Sequence, residues 1–158
     1  MELNEIYQDR LNKLKALEQK GIKPYGCSRK FSNLMRIDDV LTWFKEGSLA
    51  FVCGRLISKR EHGKVIFFDL RDHNAKIQVY IKEDTLGKEN FELFKTLDIG
   101  DILAVDGELF KTRTDEPTIK AVNLALLAKS LKPLPEKWHG LKDVEINTSI
   151  IEYLENSN

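Results

Sequence analysis

Residues Gly54 to Ile81 read GRLISKREHGKVIFFDLRDHNAKIQVYI. Two runs rich in valine, isoleucine and phenylalanine, Lys64–Leu70 and Lys76–Ile81, are set off by Arg60-Glu61-His62-Gly63 and Arg71-Asp72-His73-Asn74, which carry turn chemistry. The pattern predicts three strands joined by two short returns, an antiparallel meander. Successive strand residues point to opposite faces. Ile66, Phe68, Leu70, Ile77, Val79 and Ile81 therefore share one uniformly apolar face, the expected core side. The other face receives Val65, Phe67, Asp69, Lys76, Gln78 and Tyr80, a mixture of rings and hydrogen-bonding groups.

A half-wet sheet face with an aromatic ring, an amide and nearby cations can stack a nucleobase and read its edge, as recognition of single-stranded RNA requires. Ordinary exposed antiparallel sheets also carry a Phe or Tyr. Pattern alone leaves both readings open.

The totals narrow the field. A chain of 158 residues suits one main domain with a small appendage. Acidic and basic side chains balance at 25 each, so no global field draws in a polyanion and any RNA contact must be local. Cys27 and Cys53 have no CxxC pairing or zinc-like Cys/His spacing, and are expected to be small buried apolar residues in a reducing compartment. No metal or cofactor is expected. No apolar run approaches the ~20 residues of a membrane helix and the amino terminus has no hydrophobic signal core, which implies a soluble, cytoplasmic protein.

The flanks fill in the topology. Leu3, Ile6, Tyr7, Leu11, Leu14 and Leu17 predict an amphipathic helix over Met1–Gly21, ended by Gly21 and Pro24. Its Arg10, Lys13, Lys15 and Lys20 either lie near RNA phosphates or form a solvated face. Lys23 to Asn33 reads as a surface connector in which Arg29-Lys30 and Phe31 are a weak basic-aromatic signal. A second helix is expected from Ile37 to Lys45, with Trp43 packed on the domain body. Leu49–Lys59 is the first strand, with Gly54 placed for a bulge or sharp coil. After the meander come a helix over Glu83–Leu97, a turn at Asp98–Asp101, a strand Ile102–Phe110, a loop Lys111–Pro117 and a strand Thr118–Leu127. Three strands, a helix and two strands is the order of an OB-fold, an α+β, mainly β, five-stranded barrel. Such barrels bind ligands across strands two and three and at the loop between strands four and five.

The segments KPYG, GRLISKREHGKVIFFDLRD, KIQVYI, LDIGDILAVDGELFKT and SLKPLPEKWHGLKDVE together resemble the amino-terminal anticodon-binding region of lysyl-tRNA synthetase, a class II synthetase of the aspartate, asparagine and lysine subgroup. The segment PLPEKWHGL points to the lysine member. The resemblance implies three regions: a helical extension 1–48, an OB-fold anticodon-binding domain 49–131, and a linker with a divergent tail 132–158. It implies a tRNA partner, lysine tRNA, recognised at its anticodon loop. By the same resemblance Phe67 stacks on the central anticodon uridine, Gln78 and Glu116 contact anticodon bases, and Lys59 and Arg60 fall where the family places further anticodon-loop contacts.

Two departures stand out. Where the family has a glycine before the loop glutamate, this chain has Asp115, so a turn with positive φ would be strained or re-formed, and an added carboxylate would oppose phosphates. From Ile146 the sequence INTSIIEYLENSN leaves the family pattern, and the ATP- and lysine-binding motifs of the class are absent from these residues. The expectation is an RNA-binding module without catalytic residues, from a gene truncated after the barrel or from a free-standing paralogue. The alternatives are a protein-interaction role, through the first helix or through Ile150, Ile151, Tyr153 and Leu154 docking on a synthetase or on a second copy, and a non-functional synthetase fragment. An enzymatic site would need His62, His73 or His139 beside Asp69, Asp72 or Asp101, but the histidines fall in separate segments.

Overall fold

A hydrophobic barrel forms where strands alternate large apolar side chains inward. The computed structural model describes residues 3–25 and 33–133. Its elements are α1 (Leu3–Gln19), α2 (Ile37–Thr42), β1 (Leu49–His62), β2 (Val65–Arg71), β3 (Lys76–Lys82), α3 (Glu83–Leu86), α4 (Lys88–Lys95), β4 (Ile102–Lys111) and β5 (Pro117–Ala128). The strands close in the order β1-β2-β3-β5-β4. All contacts are antiparallel except β3 with β5, which run parallel through Gln78↔Thr118, Val79↔Ile119 and Tyr80↔Lys120. This is the expected OB-fold. The predicted inner face of the meander, Ile66 through Ile81, is buried throughout. Phe91 and Phe94 of α4 plug the barrel, with the Phe94 ring centroid 4.5 Å from that of Phe68.

The structure corrects four local expectations. The helix expected over Glu83–Leu97 is two helices, because Gly87 between them takes φ +86, outside any helical region. The second helix stops at Thr42, and Trp43 is 79% exposed instead of packed on the body. At Trp43 the backbone leaves the helix with ψ near 27, while Ile37, Val40, Leu41 and Phe44 pack in or against the core. Gly54 is not the bulge. A Cβ there would lie 2.9 Å from the Arg71 carbonyl oxygen, so glycine permits close strand approach, while the register shift falls between Leu56 and Ser58. Finally, the basic residues of α1 do not form one solvated face: Arg10 and Lys13 are engaged by the rest of the fold, whereas Lys15 and Lys20 are exposed. Arg10 is 92% buried, and its Nη1 donates to the carbonyls of Ser130 and Lys132.

The same end of the barrel holds a group of buried charges. The Lys129 ammonium, fully buried, lies 2.6 Å from Asp98 Oδ2 and 3.1 Å from Asp101 Oδ1, and Lys13 of α1 reaches Asp98 Oδ1 at 2.8 Å. At the carboxyl end of α4, Lys59 Nζ donates to the carbonyls of Lys95 (2.9 Å) and, just past the helix, Leu97 (3.3 Å), where helix-end oxygens favour a cation. Cys53 is half-buried, and burial followed by the nearby Asp72 charge pushes its thiol up. Cys27, Arg29, Lys30, Phe31, His139 and the residues from 134 onward lie outside the described residues. No helix among the described residues is long and apolar enough to cross a membrane.

Two outcomes follow from these charges. Burial alone would raise the Asp98 carboxyl, but hydrogen bonds and charge from Lys129 and Lys13 outweigh it and hold the group below its ordinary range. A depressed carboxylate contributes stability that is complete above its unfolded pKa of about 3.9 and fades as pH falls through its folded value. The stability gap between wild type and Asp98→Asn, measured by urea unfolding, should therefore be constant near neutrality and shrink below about pH 4. Lys59→Met keeps the apolar stem but strands two helix-end carbonyls, and should lower unfolding stability by about 1–2 kcal/mol.

Candidate nucleic-acid interface

The outward face of the meander is assembled by cross-strand register. Arg60 of β1 pairs with Phe67 of β2, and Phe67 with Tyr80 of β3. Parallel pairing sets Gln78 beside Thr118 of β5, and Phe110 of β4 lies opposite Thr118 on the other side. Three half-buried rings result: Phe67 and Tyr80 have centroids 5.2 Å apart at 59°, and Tyr80 and Phe110 lie 5.9 Å apart, edge to face. They floor an open cleft of about 840 Å³ whose walls include Arg60, His62, Gln78, Glu108, Thr112, Arg113, Thr114, Glu116 and Lys120.

Polar groups in the cleft are held in a directed chain. Arg60 Nη2 donates to Gln78 Oε1 at 3.1 Å, and Gln78 Nε2 donates to Thr118 Oγ1 at 3.0 Å. The Thr118 hydroxyl in turn donates to the Glu116 carbonyl at 3.1 Å. Gln78 and Thr118 are buried, whereas Arg60 and Glu116 are exposed. A buried amide bonded at both ends cannot swing, so the face it turns to the cleft is set in advance.

The loop that carries Glu116 keeps a left-handed residue despite lacking the glycine. Asp115 has φ +63, and its amide donates to the Thr112 carbonyl at 2.9 Å. Lys111 Nζ donates to Asp115 Oδ1 at 2.8 Å, and the amide of Glu116 donates to Thr112 Oγ1 at 3.2 Å. Aspartate tolerates this region better than most residues. The turn takes positive φ at Asp115 itself, and the Asp115 carboxylate is exposed.

The structure brings four of the five sequence-predicted residues, Phe67, Gln78, Arg60 and Glu116, to one cleft. Lys59 goes elsewhere. It pairs with Phe68, whose ring is in the core, and its ammonium is taken up by the α4 carbonyls, by Glu61 at 3.1 Å and by the Phe94 ring at 5.6 Å. Phe110, Arg113, Thr118 and Lys120 belong to the site but were not singled out from sequence. Alternation from buried Leu109 would have placed Phe110 outward, whereas Thr118 is reached only through the β3–β5 closure.

Residues 50–127 match the family described as an OB-fold nucleic acid binding domain of the tRNA anticodon type. The lysine–tRNA ligase of Thermoanaerobacter pseudethanolicus is 48% identical over 147 residues, which is 92% of this chain and 29% of the relative. Those of Syntrophomonas wolfei and Fusobacterium nucleatum are 45% and 44% identical over 148 residues, again 92% of this chain and 30% of theirs. The chain thus spans less than a third of the relatives it matches, and their catalytic domain is absent from these 158 residues. Closed barrel, aromatic cleft and sequence agree: the chain belongs to the tRNA anticodon-binding OB-fold family, in the form carried by lysine–tRNA ligases.

Proposed function

We propose that this chain is an RNA-binding module that recognises the anticodon loop of a lysine tRNA, without aminoacylation by these residues. The observation that carries the reading is the cleft in which Phe67, Tyr80 and Phe110 lie beside a pre-oriented Gln78 amide. An unstacked base needs a ring to lie on and a fixed donor and acceptor at its edge. Phe67 receives the central uridine, Gln78 and Glu116 read base edges, and Arg60 supports Gln78 while offering its remaining donors to phosphate. Lys59 acts behind the sheet, placing the end of α4 and adding positive charge. The barrel 49–131 does the recognition, the extension 1–48 braces it through Arg10 and Lys13, and 132–158 follows as linker and tail.

Fluorescence titration of a lysine tRNA anticodon hairpin, beside one with the central uridine replaced and at two salt concentrations, tests the reading. Wild type should prefer the uridine hairpin, and Phe67→Ala should weaken it by about 1–3 kcal/mol, roughly tenfold to a hundredfold. An unchanged affinity would remove the stacking role. Asp115→Gly should keep the turn, because glycine adopts positive φ freely, while withdrawing a carboxylate from the lip. Binding should tighten by about 0.5–1 kcal/mol at low salt, and the gain should shrink as salt rises.

A further inference from the structure

Within the cleft, Gln78 is the only side chain of the directed chain whose two polar ends can exchange places. Its carboxamide offers two acceptor lone pairs at Oε1 and two hydrogens at Nε2, and a half-turn swaps donor for acceptor. Uracil and cytosine differ in the matching way. Uracil presents an acceptor at O4 and a donor at N3, whereas cytosine presents a donor at N4 and an acceptor at N3. An amide free to turn can pair with either base; an amide fixed in one sense suits only one for a given base orientation.

Two neighbours fix that sense. Arg60 can only donate, so it holds Oε1 at 3.1 Å. Thr118 alone could either donate or accept, but its hydroxyl hydrogen is committed to the Glu116 carbonyl at 3.1 Å, which leaves it an acceptor for Nε2 at 3.0 Å. Thr118 is fully buried, so water does not compete for its hydroxyl. One Gln78 hydrogen and one lone pair remain for a base.

Resting on the anticodon-loop reading above, we infer that Thr118 is a positioning residue that locks the Gln78 amide and thereby sets which pyrimidine the cleft accepts. Thr118 never needs to touch RNA. It acts through the hydroxyl that links the Glu116 backbone to the amide, so the loop between β4 and β5 and the base-reading group on β3 are one unit. Turning the amide would oppose Nε2 to the Arg60 guanidinium and Oε1 to a hydroxyl whose hydrogen points away.

The test compares a hairpin with a uridine anticodon and its three single uridine-to-cytidine variants against wild type, Thr118→Val and Thr118→Ser. Wild type should favour uridine at the position Gln78 reads. Thr118→Val preserves shape and strand preference but deletes the hydroxyl, and the uridine-to-cytidine affinity ratio should fall about tenfold, partly by a rise in cytidine binding. Thr118→Ser should restore the ratio. A purely structural role would weaken all hairpins alike and leave the ratio intact, which would overturn the inference. Should the valine variant fail to fold, as judged by its thermal melt, Thr118→Ala carries the same comparison. If wild type itself shows no base preference, the anticodon reading fails first; if wild type discriminates and Thr118→Val or Thr118→Ala discriminates equally, only the role of Thr118 fails.

Discussion

The ammonium of Lys129 is where the chain is tied together. Its carboxylate partners come from the turn before β4, and Asp101 also accepts hydrogen bonds from the backbone amides of Asp98 and Ser130. The backbone of that turn bonds β1 directly, with Leu56 donating to the Asp101 carbonyl and Gly100 to the Leu56 carbonyl. Helix α1 joins through Lys13. A fully buried charge is tolerated only when paired and hydrogen-bonded, and removal of one partner leaves the others stranded at several kcal/mol. One ion cluster therefore fixes the relative positions of α1, β1, the turn into β4 and the end of β5.

That anchoring matters for the cleft because β1 changes phase just beyond it. Leu56 points inward, and simple alternation would turn Lys59 outward and Arg60 into the core. The extra residue at Ile57 reverses this, so Ser58 meets Asp69, Lys59 meets Phe68 and Arg60 meets Phe67. The bulge starts at Leu56, the residue whose amide and carbonyl are clamped to the Asp98–Asp101 turn. A one-residue slip exchanges the two faces of a strand. Here the clamp decides that an arginine, with a fork of donors, faces the cleft, while a lysine closes a helix end behind it.

The same phase shift marks the limit of what the sequence makes legible. The two faces of β2 and β3 are plain in the alternation of large apolar residues, and with them Phe67, Gln78 and the inner core. Lys59 and Arg60 could not be separated, because no local pattern announces a bulge at Ile57 while Gly54 offers a more conspicuous place for one. Trp43 lies off the apolar stripe of Ile37, Val40, Leu41 and Phe44, which does reach the core, and only its ring size suggested burial. Glu116 came only from family resemblance. Thr118 was invisible because its neighbour Gln78 is 40 residues away and is brought alongside by parallel closure of the barrel.

Charge balance explains why such a site should discriminate more than it attracts. The chain has no net charge, and the cleft sets Arg60, Arg113 and Lys120 against Glu108 and Glu116. Few released counterions leave little sequence-independent affinity. On the proposed reading, binding must then come from ring faces and from polar groups whose orientation is settled before RNA arrives. Pre-orientation spares the ordering of Gln78 and Arg60 on association. It also makes mismatches costly, since a base with the wrong edge would leave the buried amide unpaired against a partner that cannot turn. A barrel with so little electrostatic pull gains from rigidity what it lacks in charge, and the rigidity originates in the strand pairing that closes the fold.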